Sequence, residues 1–251
     1  MTTYVTNVQN EMSLKKLLLM IFLPSAILTA VYIIVGSLNQ TVPSLLLFYI
    51  CAALILFPIE LGVVLHASKK DYGKYSLKSA FYNDKILSWW KIFLYGAFLF
   101  GFAGLMSVAL APLENNLFAP ISNNLKQSIP AYFDWQNIEY FKQYSKSILL
   151  LTCICYFILN VFVGPIIEEL FFRGYLTSKI TRFGHFAPLI ITIMFSLYHL
   201  WLPFNNLFRI SIFFPAAWLA WRKKNIYISM VFHCLCNLMS TISLIISVYS
   251  I

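Results

Sequence analysis

The 251-residue chain is 60% hydrophobic and only 11% charged, with a mean hydropathy of +0.77, which is too apolar for a single soluble globule. Its net charge of +9 does not point to nucleic acid, because a nucleic-acid binder gathers its lysines and arginines on one water-facing patch. Here they punctuate apolar runs, as in the cytoplasmic loops of a multi-pass membrane protein.

A membrane-spanning helix needs about twenty predominantly apolar residues. Taken in chain order, seven stretches are candidates, near 17–38, 42–65, 89–111, 147–170, 186–203, 207–221 and 226–250. The polar first fourteen residues and Lys15-Lys16 precede an apolar run longer than the ~7–15 residues of a signal-peptide core, so a retained first span is expected rather than a cleaved leader. The sixth stretch is short and contains Arg209 and Pro215, which makes it the weakest of the set. The segment 112–146 is polar and carries Pro120, Pro130, Tyr132, Trp135 and Tyr140, as expected of an outer loop with interfacial aromatics and an amphipathic helix. Cys51, Cys153, Cys155, Cys234 and Cys236 lie inside apolar runs and read as small buried hydrophobes rather than disulfides or metal ligands. No linker or repeat divides the chain, so residues 1–251 form one all-α membrane domain.

With a cytoplasmic N-terminus, the inside loops hold Lys15 and Lys16; Lys69, Lys70, Lys74, Lys78, Lys85 and Lys91; Arg173, Lys179 and Arg182; and Arg222, Lys223 and Lys224. Only Lys126, Lys142, Lys146 and Arg209 fall outside, the bias of a multi-pass protein in the cell membrane.

Three polar constellations interrupt the C-terminal apolar runs: Glu168, Glu169 and Arg173; Ser196, Tyr198 and His199; and His233 with Asn237. An ionisable side chain within a membrane span is costly, and by default marks a functional site. Residues four apart share a helix face, so Glu169 can pair with Arg173 while Glu168 is turned by about 100° toward another partner. His233 and Asn237 are likewise one turn apart. Measured from an inner boundary near residues 180–186, Glu168 and His199 lie roughly 20 Å deep and the His233/Asn237 pair about 13–20 Å, at ~1.5 Å per residue, so the three sets can meet in the inner half of the membrane. Such a cluster requires a polar cavity with water access from the cytoplasm. A carboxylate beside an imidazole can hold and deprotonate a water, and a second imidazole with an amide can carry the developing oxyanion, which completes a set for amide hydrolysis.

Simpler readings exist for each residue. Glu169 with Arg173 serves equally well as glue between helices, Asn237 as a helix-to-helix hydrogen bond, and Phe195 as packing. Glu60, near the inner end of the second span, reads as a snorkelling side chain or a partner of Lys69 or Lys70, with a cavity role as the alternative. Asn160 either lines the cavity or bonds a neighbouring helix, and His66 and His185 belong to solvated loop edges. Zinc would take three protein ligands and a water; no His-Glu-x-x-His motif is present.

Glu168-Glu169 with Arg173, then Phe195 with His199, then His233 with Asn237, each on its own apolar segment, resemble the successive motifs of the CAAX protease and bacteriocin-processing family, the ABI family of membrane-embedded glutamic endopeptidases. The resemblance covers roughly residues 145–240, the expected catalytic core. It implies a polytopic α-helical fold of eight or fewer spans, which the seven apolar stretches fit, around a cytoplasm-facing polar cavity, and proteolysis without a cofactor or an obligatory metal. It implies Glu168 as the base acting on water, assisted by His199, with His233 and Asn237 on the oxyanion and Glu169 and Arg173 in support. The implied partners are membrane lipids and a peptide or protein substrate with a membrane-associated tail, prenylated in eukaryotic relatives. A non-catalytic immunity protein or membrane scaffold of the same family, and a proton-coupled transporter, are the competing readings. The transporter is disfavoured because no inverted repeat is evident.

Overall fold

The computed structural model describes residues 11–81, 87–135 and 137–250, apart from the side chain of Lys126. Lys85 and most of the polar N-terminal segment therefore lie outside the described residues. The described chain is all-helical. Eight helices carry it: α1 (Leu14–Leu38), α2 (Ser44–Tyr72), α3 (Trp89–Ala109), α4 (Ala111–Ser128), α5 (Lys146–Leu176), α6 (Ala187–Leu197), α7 (Asn206–Lys223) and α8 (Tyr227–Tyr249).

Among the described residues, five of these helices, α1, α2, α3, α5 and α8, are long and apolar enough to cross a membrane. The fifth expected span is an 11-residue helix, about 16 Å long at ~1.5 Å per residue, and falls short of the ~30 Å hydrocarbon core. The sixth, α7, ends in Arg222 and Lys223 and carries Arg209. The fourth runs on to Leu176, so Arg173, expected in an inside loop, is buried within a helix.

Each long helix turns a narrow stripe inward and leaves large apolar residues outside. In α1, Leu17, Ile21, Leu28 and Tyr32 are buried, while Leu18, Leu19, Leu23, Ile33 and Ile34 are exposed. That surface suits hydrocarbon rather than water. Ser13 caps α1 by accepting from the Lys16 N–H (3.3 Å), and Gly73, at φ 76°, closes α2 in the left-handed region that glycine enters without penalty.

α8 packs on α3, α5 and α7; α2 packs on α1 and α5; α6 pairs with α7. Gly96 lets α3 approach α8: a Cβ there would stand 2.5 Å from Val231 Cγ1. The turn Lys78–Ala80 presses on α5 at Gly174, where a Cβ would stand 2.3 Å from the Ala80 carbonyl oxygen. The segment expected as an outer loop contains α4 and two short 3-10 turns, Ala131–Phe133 and Ile138–Gln143. Its aromatics pack inward: Trp135 Nε1 donates to the Tyr32 hydroxyl (2.9 Å), and buried Tyr132 donates to the Val42 carbonyl (3.1 Å). All five cysteines are free, with Cys51 and Cys153 buried.

Candidate active site

The site is built on α5, and its local backbone follows from Gly164-Pro165. A π-turn over Leu159–Val163 directs the Gly164 N–H to the Leu159 carbonyl, and Pro165 has no N–H to offer. The Asn160 carbonyl is thereby left without a helical donor, and Asn237 Nδ2 of α8 takes it at 2.9 Å. The Asn160 side chain completes the joint, donating to Thr241 Oγ1 (2.8 Å) and accepting from the Tyr49 hydroxyl of α2 (2.6 Å). Asn160 thus ties α2 and α8 to α5 above the acidic pair. A second π-turn, Glu169–Leu176, carries the acidic pair's second member and Arg173.

Glu169 is fully buried, and its Oε1 meets both Arg173 Nη1 (3.2 Å) and His233 Nδ1 (3.0 Å). The Arg173 guanidinium carbon lies over two rings, 4.0 Å from the centroid of Phe195 and 5.3 Å from that of Phe213. Phe195, placed by sequence as packing, therefore holds the cation as well. With Nδ1 donating to Glu169, the His233 ring is fixed in orientation and turns Nε2 toward Glu168 Oε2, 3.6 Å away. The Phe213 ring packs edge-on against the imidazole, with centroids 4.7 Å apart.

Glu168 is 8% exposed, and its other oxygen, Oε1, accepts a hydrogen bond from the Tyr198 hydroxyl. Tyr198 sits where α6 stops. The His199 N–H turns to Ser196 O (3.4 Å), so the Phe195 carbonyl is left for the His199 ring, whose Nδ1 lies 2.7 Å from it. That contact makes Nδ1 the donor and leaves Nε2 with its lone pair. Ser25 of α1 donates to the Tyr198 carbonyl, and Arg209 Nη1 of α7 holds the Ser196 carbonyl at 2.9 Å. Glu114 of α4 in turn caps α7, accepting from the N–H groups of Leu207 (3.0 Å) and Phe208 (2.7 Å). An irregular backbone at this depth is tolerated because neighbouring side chains satisfy it.

Residues 150–239, just over a third of the chain, match the family model described as type II CAAX prenyl endopeptidase Rce1-like. This segment is similar to that family. It matches the CAAX protease family that the three motifs resemble. No curated protein and no solved structure matches the chain.

Within the Rce1-like segment, the structure brings Glu168, Glu169, Arg173 and His233 into direct contact. Among the described residues no hydrogen bond or ion pair joins His199 to Glu168; Tyr198 stands between them, with ring centroids of Tyr198 and His199 4.5 Å apart. Asn237 lies one turn beyond His233, with its amide on Asn160. His66 and His185 are exposed, as expected. Glu60 differs from the expected snorkelling residue: it is 1% exposed and forms no ion pair with Lys69 or Lys70, which lie roughly 13–15 Å further along α2. Among the described residues, no three His, Cys, Asp or Glu side chains are grouped to hold a metal ion.

Tyr198, named among the polar residues beside His199 but given no role, and Asn160, Arg209 and Ser25 are participants whose part the sequence did not assign. Tyr198 neighbours His199 in an apolar run and carries no periodic signal of its own. Only the halt of α6 turns it toward Glu168.

Proposed function

We propose that the chain is a membrane-embedded endopeptidase in which Glu168 activates a water against a peptide bond of a membrane-associated substrate. The observation that carries the proposal is the buried Glu168 carboxylate. Oε1 is held by Tyr198, Oε2 is turned toward His233, and the neighbouring Glu169 is neutralised by Arg173.

In the proposed reaction the water gives a proton to Glu168 as its oxygen attacks the carbonyl carbon. His199 Nε2 holds the water's second hydrogen. The oxyanion accepts from His233 Nε2–H, the ring then carrying hydrogen on both nitrogens because Nδ1 donates to Glu169, and from Asn237 once its longer contact, 3.3 Å to Asn160 Oδ1, is exchanged for the substrate oxygen. Glu168 then returns its proton to the leaving nitrogen as the C–N bond breaks. Glu169 and Arg173 keep the His233 ring in place. No cofactor takes part.

We further propose that α6 and α7 complete a seven-helix bundle in the cell membrane, with the N-terminus and the cavity on the cytoplasmic side. The substrate class follows from the name of the matched family: a C-terminal tail bearing a prenyl group.

The test uses the purified chain in lipid vesicles, supplied with matched farnesylated and unmodified tail peptides. The native chain should release the tail, and Glu168→Gln, which keeps shape and removes the base, should be slower by at least ~100-fold. Equal cleavage by both would end the proposal, and protection or binding that survives Glu168→Gln without cleavage would favour the non-catalytic immunity or scaffold reading.

A further inference from the structure

Glu60 lies outside the matched segment 150–239 and has no part in the reaction above, yet three contacts lay its helix, α2, along the helix that carries Glu168. α2 and α5 run side by side in the same direction. Tyr49 bonds Asn160 (2.6 Å), Phe57 touches Gly164 (a Cβ there would be 3.3 Å from its ring), and Asp71 pairs with Lys179 (3.6 Å). From the Phe57 and Gly164 contact, one turn further along each helix reaches Glu60 on α2 and Glu168 on α5. Glu60 is buried, its Oε2 has no hydrogen-bond partner among the described residues, and its charge acts on those of Glu168 and Tyr198. These two are the titratable groups near enough to feel its charge.

We propose that Glu60 is a positioning residue that acts through Glu168, the two carboxyls sharing one proton beside the attacking water. This rests on the peptidase reading for its purpose but not for its geometry. Two carboxylates in so confined a place repel strongly, so the pair carries one negative charge and one proton. When Glu168 accepts the proton of the water, the proton already held between the carboxyls passes to Glu60. When Glu168 returns its proton to the leaving nitrogen, the shared arrangement is restored. Protons are conserved across the cycle and no further reactant is needed. Tyr198, donating to Glu168 Oε1, leaves Oε2, the oxygen that also faces His233, for the exchange.

Infrared titration of the carboxyl stretch in vesicles tests this without any turnover. It compares the native chain, Glu168→Gln to assign the Glu168 component, Glu60→Gln, and Glu60→Asp as the conservative change. In Glu60→Gln the Glu168 transition should move by about one pH unit or more, and Glu60→Asp should restore most of the difference. Tail cleavage by Glu60→Gln should show kcat lowered ~10-fold, KM within ~2-fold, and a pH–rate profile displaced by the same interval as the infrared transition. An unmoved Glu168 transition in folded Glu60→Gln or Glu60→Asp overturns the inference. A native chain that cleaves nothing would overturn the peptidase reading instead, leaving the shared proton to be decided by the titration alone.

Discussion

Arg173→Met is the most demanding test of how the site is held. The guanidinium is 2% exposed, Nη1 lies 3.2 Å from a carboxylate oxygen that also receives His233 Nδ1, and Phe195 covers its face at 4.0 Å. Methionine fills similar volume and keeps contact with both rings, so the change isolates charge. It leaves Glu169 as a fully buried carboxylate with an Oε2 that has no hydrogen-bond partner among the described residues. Breaking a buried pair from one side costs about 3–5 kcal/mol, whereas replacing both members by isosteric neutral groups costs far less. Arg173→Met should therefore lose about 3–5 kcal/mol, and Glu169→Gln with Arg173→Met should recover roughly 2 kcal/mol or more of it as coupling. The assay is reversible unfolding in mixed micelles with added denaturing detergent, followed by tryptophan fluorescence, for the native chain, both single variants and the double variant. A single-variant loss under about 1 kcal/mol with no coupling is what an exposed pair gives, and would refute the claim that these charges are buried together.

Tyr198→Phe keeps the ring against Phe172, with centroids 4.8 Å apart, and removes only the hydroxyl on Glu168. Cleavage should slow ~10-fold with KM unchanged, and stability should fall by no more than about 1.5 kcal/mol; an unchanged kcat would show that the hydroxyl does not orient the carboxylate. His233→Ala removes the group between both carboxylates and should lower kcat by ~100- to 1000-fold in the vesicle assay, a result that near-native turnover would contradict. Gly174→Ala places a methyl 2.3 Å from the Ala80 carbonyl and should lower unfolding stability by about 1–3 kcal/mol. If Gly174→Ala unfolds like the native chain, the turn Lys78–Ala80 does not press on α5.

Much of the site was legible because ionisable residues stand out in an apolar run. Glu168, Glu169 and Arg173 announce themselves by cost alone, and the four-residue spacing of Glu169 and Arg173 predicted the contact that the structure shows. What the spacing could not carry is how one helix aligns with another. Glu60 reads from the sequence as a snorkelling side chain or a partner of Lys69 or Lys70, with a cavity role as the alternative, and the alignment of α2 with α5, a relation between residues more than a hundred positions apart, favours the alternative. The π-turns were equally hidden. Pro165 signals a missing N–H, yet the hydrogen-bond partner of the Asn160 carbonyl comes from α8. The same applies to α6, read as a full span because the apolar run continues to residue 203. The helix stops at Leu197, where His199 takes the Phe195 carbonyl and Arg209 takes that of Ser196.

The central claim is that the Glu168 carboxylate activates water for peptide hydrolysis. Its most direct test works whatever the substrate is: comparative peptidomics of membrane and secreted fractions from cells carrying the native chain or Glu168→Gln at matched abundance. The account predicts a defined set of cleaved tails or peptides present with the native chain and missing with the variant. Identical peptide sets from the two would contradict it.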